Sequence, residues 1–236
     1  MLDGKRVVVL GGSSGIGFAV ARAALDQGAK VHIGSSGPAK VEAALARLGE
    51  GAGGGTVNLT DEASVAAFFA QAGGFDHLAY TAGDWGGSAT KVGPSFDLAI
   101  AKSGFDTRFW GILLAVKYAM AHMATDGSIT LTSGLYAHRP AKGSTLATAV
   151  TGAVEHLMLG LAVELAPVRV NVVTPGLIDT EALARMPDAA KAAMTANQPI
   201  PRPGLPRDAA EAYLYFMRAG YTTGQVAVVD GGRMFV

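Results

Sequence analysis

The chain has 236 residues, half of them apolar and 16% charged, which suits one well-packed domain and excludes a disordered chain. Lys plus Arg equals Asp plus Glu at 19 each, which leaves no electrostatic case for nucleic acid or an anionic membrane. The absence of cysteine removes disulfides, thiolate metal ligands and a cysteine nucleophile.

Met1-Leu2-Asp3-Gly4-Lys5 does not read as a signal peptide, and no apolar stretch reads as membrane-spanning without interruption, so a cytoplasmic location is expected. Arg6 to Leu10 is a short β-branched run, the pattern of a buried parallel strand. It enters Gly11-Gly12-Ser13-Ser14-Gly15-Ile16-Gly17, after which Phe18, Val20, Ala21, Ala24 and Leu25 recur at helical spacing until Gly28. A strand, a glycine-rich turn and a helix N-terminus make an anion site, because unpaired N–H groups and the positive end of the helix dipole point over the loop. Gly11 permits the turn, and Gly15 and Gly17 lack the Cβ atoms that would hold a pyrophosphate and the helix away.

Strand-like and helix-like segments then alternate, the mark of βαβ units. Strands are expected at Lys30–Gly34, Gly55–Leu59, Phe75–Thr81, Ser128–Thr132, Val168–Val173 and Val226–Val229. Helices are expected at Pro38–Leu48, from an N-cap at Thr60 to Ala72, Phe96–Met123, Ser144–Leu165 and Arg207–Ala219. The stretch Asp179–Pro206, rich in Pro and Met, reads as a flap over a site. The expected architecture is α/β: a Rossmann-like, doubly wound parallel sheet of about seven strands with helices on both faces. A single domain would span 1–236, with the flap at 179–206 inside it. His77, His122 and His156 lie on helix or strand positions typical of packing and show no metal-ligand spacing, and no metal site is read.

Several anchors in order resemble the short-chain dehydrogenases/reductases. They are Leu10 to Gly17, Tyr80-Thr81-Ala82-Gly83, Gly127-Ser128-Ile129, Thr132-Ser133, Leu161 to Ala166, Arg169 to Gly176, Thr223-Gly224-Gln225 and Asp230-Gly231-Gly232. The resemblance implies a nicotinamide dinucleotide lying along Gly11, Ser13, Ser14, Gly15, Ile16 and Gly17. Asn58 and Leu59 would flank the adenine, with the Asn58 amide oxygen accepting from the adenine amine. Ala82 and Gly83 would pass under the ribose, and Pro175, Gly176, Ile178 and Thr180 would hold the carboxamide. The end of strand two has Ser35 and Ser36 and no carboxylate to repel a 2′-phosphate, so NADP(H) is favoured and NAD(H) is allowed.

The resemblance breaks at the catalytic set. The family places a Tyr and a Lys four residues apart on the helix after strand five, on one helical face. The ungapped match puts Ala147 and Thr151 at those positions and Arg108 where the family has an Asn. Ser133, the donor to the substrate oxygen, remains. Arg108 is long enough to place its guanidinium where the Lys charge is missing, although Arg cannot act as the acid. Tyr136 and His138, in the loop after Ser133, are candidate proton donors. Asp84 and Trp85 face the same region, with Trp85 as a pocket wall.

The function expected is a nicotinamide-dependent oxidoreductase acting on a small carbonyl, activated C=C or imine substrate through a non-standard site. The alternative is a non-catalytic dinucleotide-binding sensor or scaffold. A homodimer or homotetramer is expected through the two long helices and the apolar Met234-Phe235-Val236 end.

Overall fold

A computed structural model describes residues 1–83, 91–184 and 186–236. Seven strands form one parallel sheet in the order β3-β2-β1-β4-β5-β6-β7, with β1 Arg6–Leu10, β2 Lys30–Ser35, β3 Ala52–Thr56, β4 Phe75–Tyr80, β5 Met123–Thr132, β6 Arg169–Pro175 and β7 Val226–Val229. The order reverses beside β1, so the crevice over the carboxyl ends of β1 and β4 is the place where such sheets bind ligands. Helices α1 Gly15–Asp26, α2 Pro38–Leu48 and α8 Pro206–Arg218 cover one face, and α3 Glu62–Ala72, α5 Gly111–Ala119 and α6 Thr145–Glu164 the other.

Strand alternation sorts the core. Val8, Leu10, Leu78, Ile129, Leu131, Val170 and Val172 pack under α3, α5 and α6, while Val7, Val9, Val31, Ile33, Ala79 and Val173 pack under α1, α2 and α8. Each fully buried Val, Leu or Ile side chain contributes about 1.5–3 kcal/mol. His77 lies inside this core with Nδ1 2.9 Å from Ser128 Oγ, and burial lowers its pKa to about 4.

Four element readings need correction. Strand three is Ala52–Thr56 rather than Gly55–Leu59, because Gly53, Gly54 and Gly55 pair with β2 while Val57 and Leu59 enter the core from the following turn. A Cβ on Gly54 would lie 2.7 Å from Ile33 Cγ1, so the pairing requires a residue without one. The cap of α3 is Asp61, whose carboxylate accepts from Ser64 N–H at 3.0 Å, and not Thr60. The helix expected over Phe96–Met123 is divided into α4 Leu98–Phe105, a π-helical turn Asp106–Trp110, and α5. Chain expected in that helix also supplies the start of β5, which begins at Met123 beside Phe75 and changes register before Ser128 meets His77.

The 179–206 stretch is more ordered in backbone than its composition implies. It holds a 3-10 turn, Glu181–Leu183, and helix α7 Asp188–Thr195, and Ile178 bridges to Gly204. Lys191 of α7 returns to Asp179 at 2.8 Å. Helix α6, at 20 residues, is long and apolar enough to cross a membrane, contrary to the sequence reading. Here Val150, Val154, Met158 and Leu161 bury one face of it.

Candidate active site

The turn after β1 is held by backbone bonds to both neighbouring strands: Gly11 N–H donates to Gly34 O at 2.8 Å, and Thr81 N–H and Oγ1 donate to Leu10 O. Gly11 has φ +86° and Gly15 φ +53°, backbone that suits glycine. A Cβ on Gly17 would collide with the Gly11 carbonyl oxygen and Thr81 Oγ1, so α1 can approach the turn this closely only with glycine there. Ser14 occupies the N-cap position without a side-chain cap bond, and the first turn of α1 has no acidic residue. The N–H groups at this end are therefore available to an outside anion.

One such anion is already in place. Glu181 Oε2 accepts from Gly15 N–H at 2.9 Å, with Thr180 beside it against Gly15. A carboxylate held on this N–H is a stand-in for a phosphate, and together with the glycine cradle it fits a dinucleotide pyrophosphate at the switch point. Glu181 escaped the sequence reading, although a carboxylate next to Thr180 was the signal available.

The other nucleotide-side residues lie where strand ends converge. Ser13 Oγ donates to Ser35 Oγ at 2.8 Å, linking the glycine turn to the end of β2, and Ser36 is exposed next to it. Asn58 is exposed, but its Oδ1 accepts from Thr60 N–H at 3.1 Å and Thr60 Oγ1 at 2.9 Å, so this oxygen is already engaged. Leu59 is buried in the core. Ala82 and Gly83 leave the end of β4, and Pro175 ends β6. Gly176 N–H donates to Val229 O, Ile178 is buried, and Thr180 reaches Gly15.

On the catalytic side, Ser133 is buried at the end of β5, and its Oγ donates to the backbone oxygen of Thr151 at 3.0 Å. Thr151 Oγ1 donates to Ala147 O within α6, and both residues are buried. The expected Tyr and Lys positions thus carry one methyl and one hydroxyl turned onto its own helix. Arg108 lies in the π-helical turn, a local insertion often found at functional sites. Its side chain lies against Gly83, where an added Cβ would be 2.8 Å from the guanidinium carbon. Its charge extends to Tyr80 and Tyr213, opposing the upward push that burial gives both phenols. The π turn also packs against α6.

Tyr136 is partly exposed in the 3-10 turn Leu135–Ala137. His138 follows it, with Nε2 3.0 Å from Glu155 Oε1, and the same carboxylate oxygen accepts from Thr174 Oγ1 at 2.7 Å. Glu155 was a further omission of the sequence reading; it falls on the face of α6 that carries Ala147 and Thr151, one turn beyond Thr151. Asp84 and Trp85 lie outside the described residues. No cluster of His, Asp and Glu suited to a metal occurs among the described residues.

A family model described as Enoyl-(Acyl carrier protein) reductase matches residues 11–233. The short-chain dehydrogenase/reductase ATR9 of Stachybotrys chlorohalonatus is 36% identical over 249 residues, covering 98% of this chain and 97% of that protein. A small-chain dehydrogenase solved in complex with NADPH is 36% identical with TM-score 0.85, covering 99% of this chain and 100% of its own. The MalC reductase/Diels-Alderase of Malbranchea aurantiaca is 33% identical with TM-score 0.91, covering 100% and 98%. The sheet order, the glycine cradle and these full-length matches agree, and the chain belongs to the short-chain dehydrogenase/reductase superfamily.

Proposed function

We propose that the protein is a nicotinamide-dependent oxidoreductase, favouring NADP(H), that reduces or oxidises a small carbonyl, activated C=C or imine substrate at a rebuilt site. The observation that carries this reading is Arg108 lying against Gly83, beside the expected ribose path, while Ala147 and Thr151 replace the Tyr and Lys. The dinucleotide, when bound, would supply the hydride for reduction or accept it in oxidation. The chain supplies orientation, which is most of what hydride transfer asks of a protein.

The geometry supports a role for each of these residues. Gly11, Gly15 and Gly17 admit the pyrophosphate, and Ser13, Ser35 and Ser36 offer hydroxyl donors without a carboxylate to oppose a 2′-phosphate. Arg108 supplies the permanent positive charge that the missing Lys would have supplied. Ser133 donates to the substrate oxygen or nitrogen by giving up its bond to Thr151 O. His138, oriented by Glu155, and Tyr136 are the protein groups able to exchange a proton in the loop beyond Ser133. A substrate that needs no strong protein acid suits this set. Assembly into a homodimer or homotetramer belongs to the same reading, supported by the exposed Leu159 and Val163 on α6 and Phe235 near the chain end.

The test is a calorimetric titration with NADPH and NADH, then a carbonyl, enone and imine screen with Arg108→Lys and Ser133→Ala. Tighter NADPH than NADH binding is expected. Ser133→Ala should lower kcat/KM by about 10²-fold, the usual scale for one lost transition-state donor. Arg108→Lys, which loses the planar fork, should weaken NADPH and lower turnover together. Binding of neither nucleotide to folded protein would reject the oxidoreductase. Binding without turnover across the screen would instead favour a dinucleotide sensor.

A further inference from the structure

Glu181 places a carboxylate on the site that the dinucleotide pyrophosphate needs. Its Oε2 accepts from Gly15 N–H at 2.9 Å, at the positive end of the twelve-residue helix α1. Two further observations make this more than a surface contact. Glu181 makes no ion pair among the described residues, and its carboxylate bonds instead to the N-terminal end of α1. It also belongs to the segment starting at Ile178, which is fastened below by the Ile178–Gly204 bridge and by Lys191 on Asp179. Thr180 and Glu181 therefore reach the cradle from a fixed base, while Glu181 itself is exposed to solvent.

We infer that Glu181 is an affinity-setting residue for the cofactor: a tethered anion that occupies the pyrophosphate cradle and must leave before a dinucleotide can bind. The inference rests on the dinucleotide reading above. Two anions cannot share one N–H donor, and a carboxylate beside a pyrophosphate is repelled by it, so the seated and nucleotide-bound arrangements exclude each other. The apparent affinity is reduced by the fraction of molecules in which the cradle is open. Because the competitor is an anion, its effect falls on ligands that carry a pyrophosphate and spares those that do not.

The experiment is a calorimetric titration of wild type, Glu181→Gln and Glu181→Ala with NADPH and with adenosine 2′-monophosphate, which has no pyrophosphate. Hydrogen exchange of the peptide holding Gly15 is measured in parallel without nucleotide. Both variants should bind NADPH about three- to fivefold more tightly, the scale of one anion at a helix end. They should leave adenosine 2′-monophosphate unchanged, and Glu181→Ala, which removes the acceptor that a Gln amide oxygen would keep, should expose the Gly15 amide to faster exchange. Unchanged or weaker NADPH binding would overturn the inference, as would an equal gain for adenosine 2′-monophosphate. If no variant binds a nucleotide, the dinucleotide reading fails. The exchange measurement then still decides the contact, since unaltered Gly15 exchange in both variants would show that Glu181 does not hold it.

Discussion

His77 is where a single side chain most directly controls stability. Its imidazole is buried between β1 and β5 with Nδ1 beside Ser128 Oγ, and burial lowers its pKa from the usual 6.5 to about 4. The folded state therefore holds the ring neutral where the unfolded chain would protonate it. Stability is complete above pH 6.5 and falls as pH drops from 6.5 toward 4, because the unfolded state binds the extra proton. The loss approaches about 3 kcal/mol at the lower end, from roughly 1.4 kcal/mol per pH unit. Urea denaturation of wild type and His77→Asn between pH 7 and 4.5 checks this: the variant should show a shallower slope. Equal slopes would place the acid sensitivity elsewhere, His32 being the next candidate since burial lowers its pKa as well. The sequence exposed His77 as a packing residue, and its position on β4 inside an apolar run was enough for that. It did not expose Glu155 or Glu181, whose partners His138, Thr174 and Gly15 are distant in sequence and meet only after the sheet has formed.

Elements were legible where the apolar period was strong and unreliable where backbone pairing decides. Helix α2 and strand β7 keep their expected limits because Pro38 starts the one and β-branched residues fill the other. Strand β3 was misplaced because its Gly53-Gly54-Gly55 core has no side chains to show a period, and its hydrogen bonds to β2 determine it. The division of the long helix was invisible for a related reason. The π turn at Asp106–Trp110 preserves a helical hydrophobic pattern while adding a residue to the turn, and it ends at Gly111, whose missing side chain makes room for Tyr80 Oη. The start of α3 offers a direct test. Asp61→Ala should cost about 1 kcal/mol, the usual value for a lost N-cap, whereas Thr60→Ala should stay within about 0.5 kcal/mol. Denaturant midpoints of the two variants distinguish the caps, and the reverse order would restore Thr60 to that role.

At the scale of the whole molecule, the contacts that close the fold are the same ones that shape the cradle. Gly17 lets α1 descend onto the Gly11 carbonyl and Thr81 Oγ1, which ties β1 and β4 together on the α1 side and turns the first N–H groups of α1 toward the cradle, where Glu181 takes that of Gly15. Fold and binding should therefore fail together. NADPH at about 100 times its Kd adds roughly 2.7 kcal/mol to the native state. For a chain of this size each kcal/mol raises Tm by about 2–4 °C, so a rise of about 5–10 °C is expected in scanning calorimetry. Gly17→Ala should lower the Tm without nucleotide, since its methyl must push α1 off the turn, and should abolish the rise with it. A lowered Tm with a full nucleotide response would mean that the core and the cradle are independent. An unchanged Tm with a lost response would confine Gly17 to binding. Simultaneous loss is the result that this geometry requires, because one carbonyl and one hydroxyl set both the seat of the helix and the height of its N-terminus above the sheet.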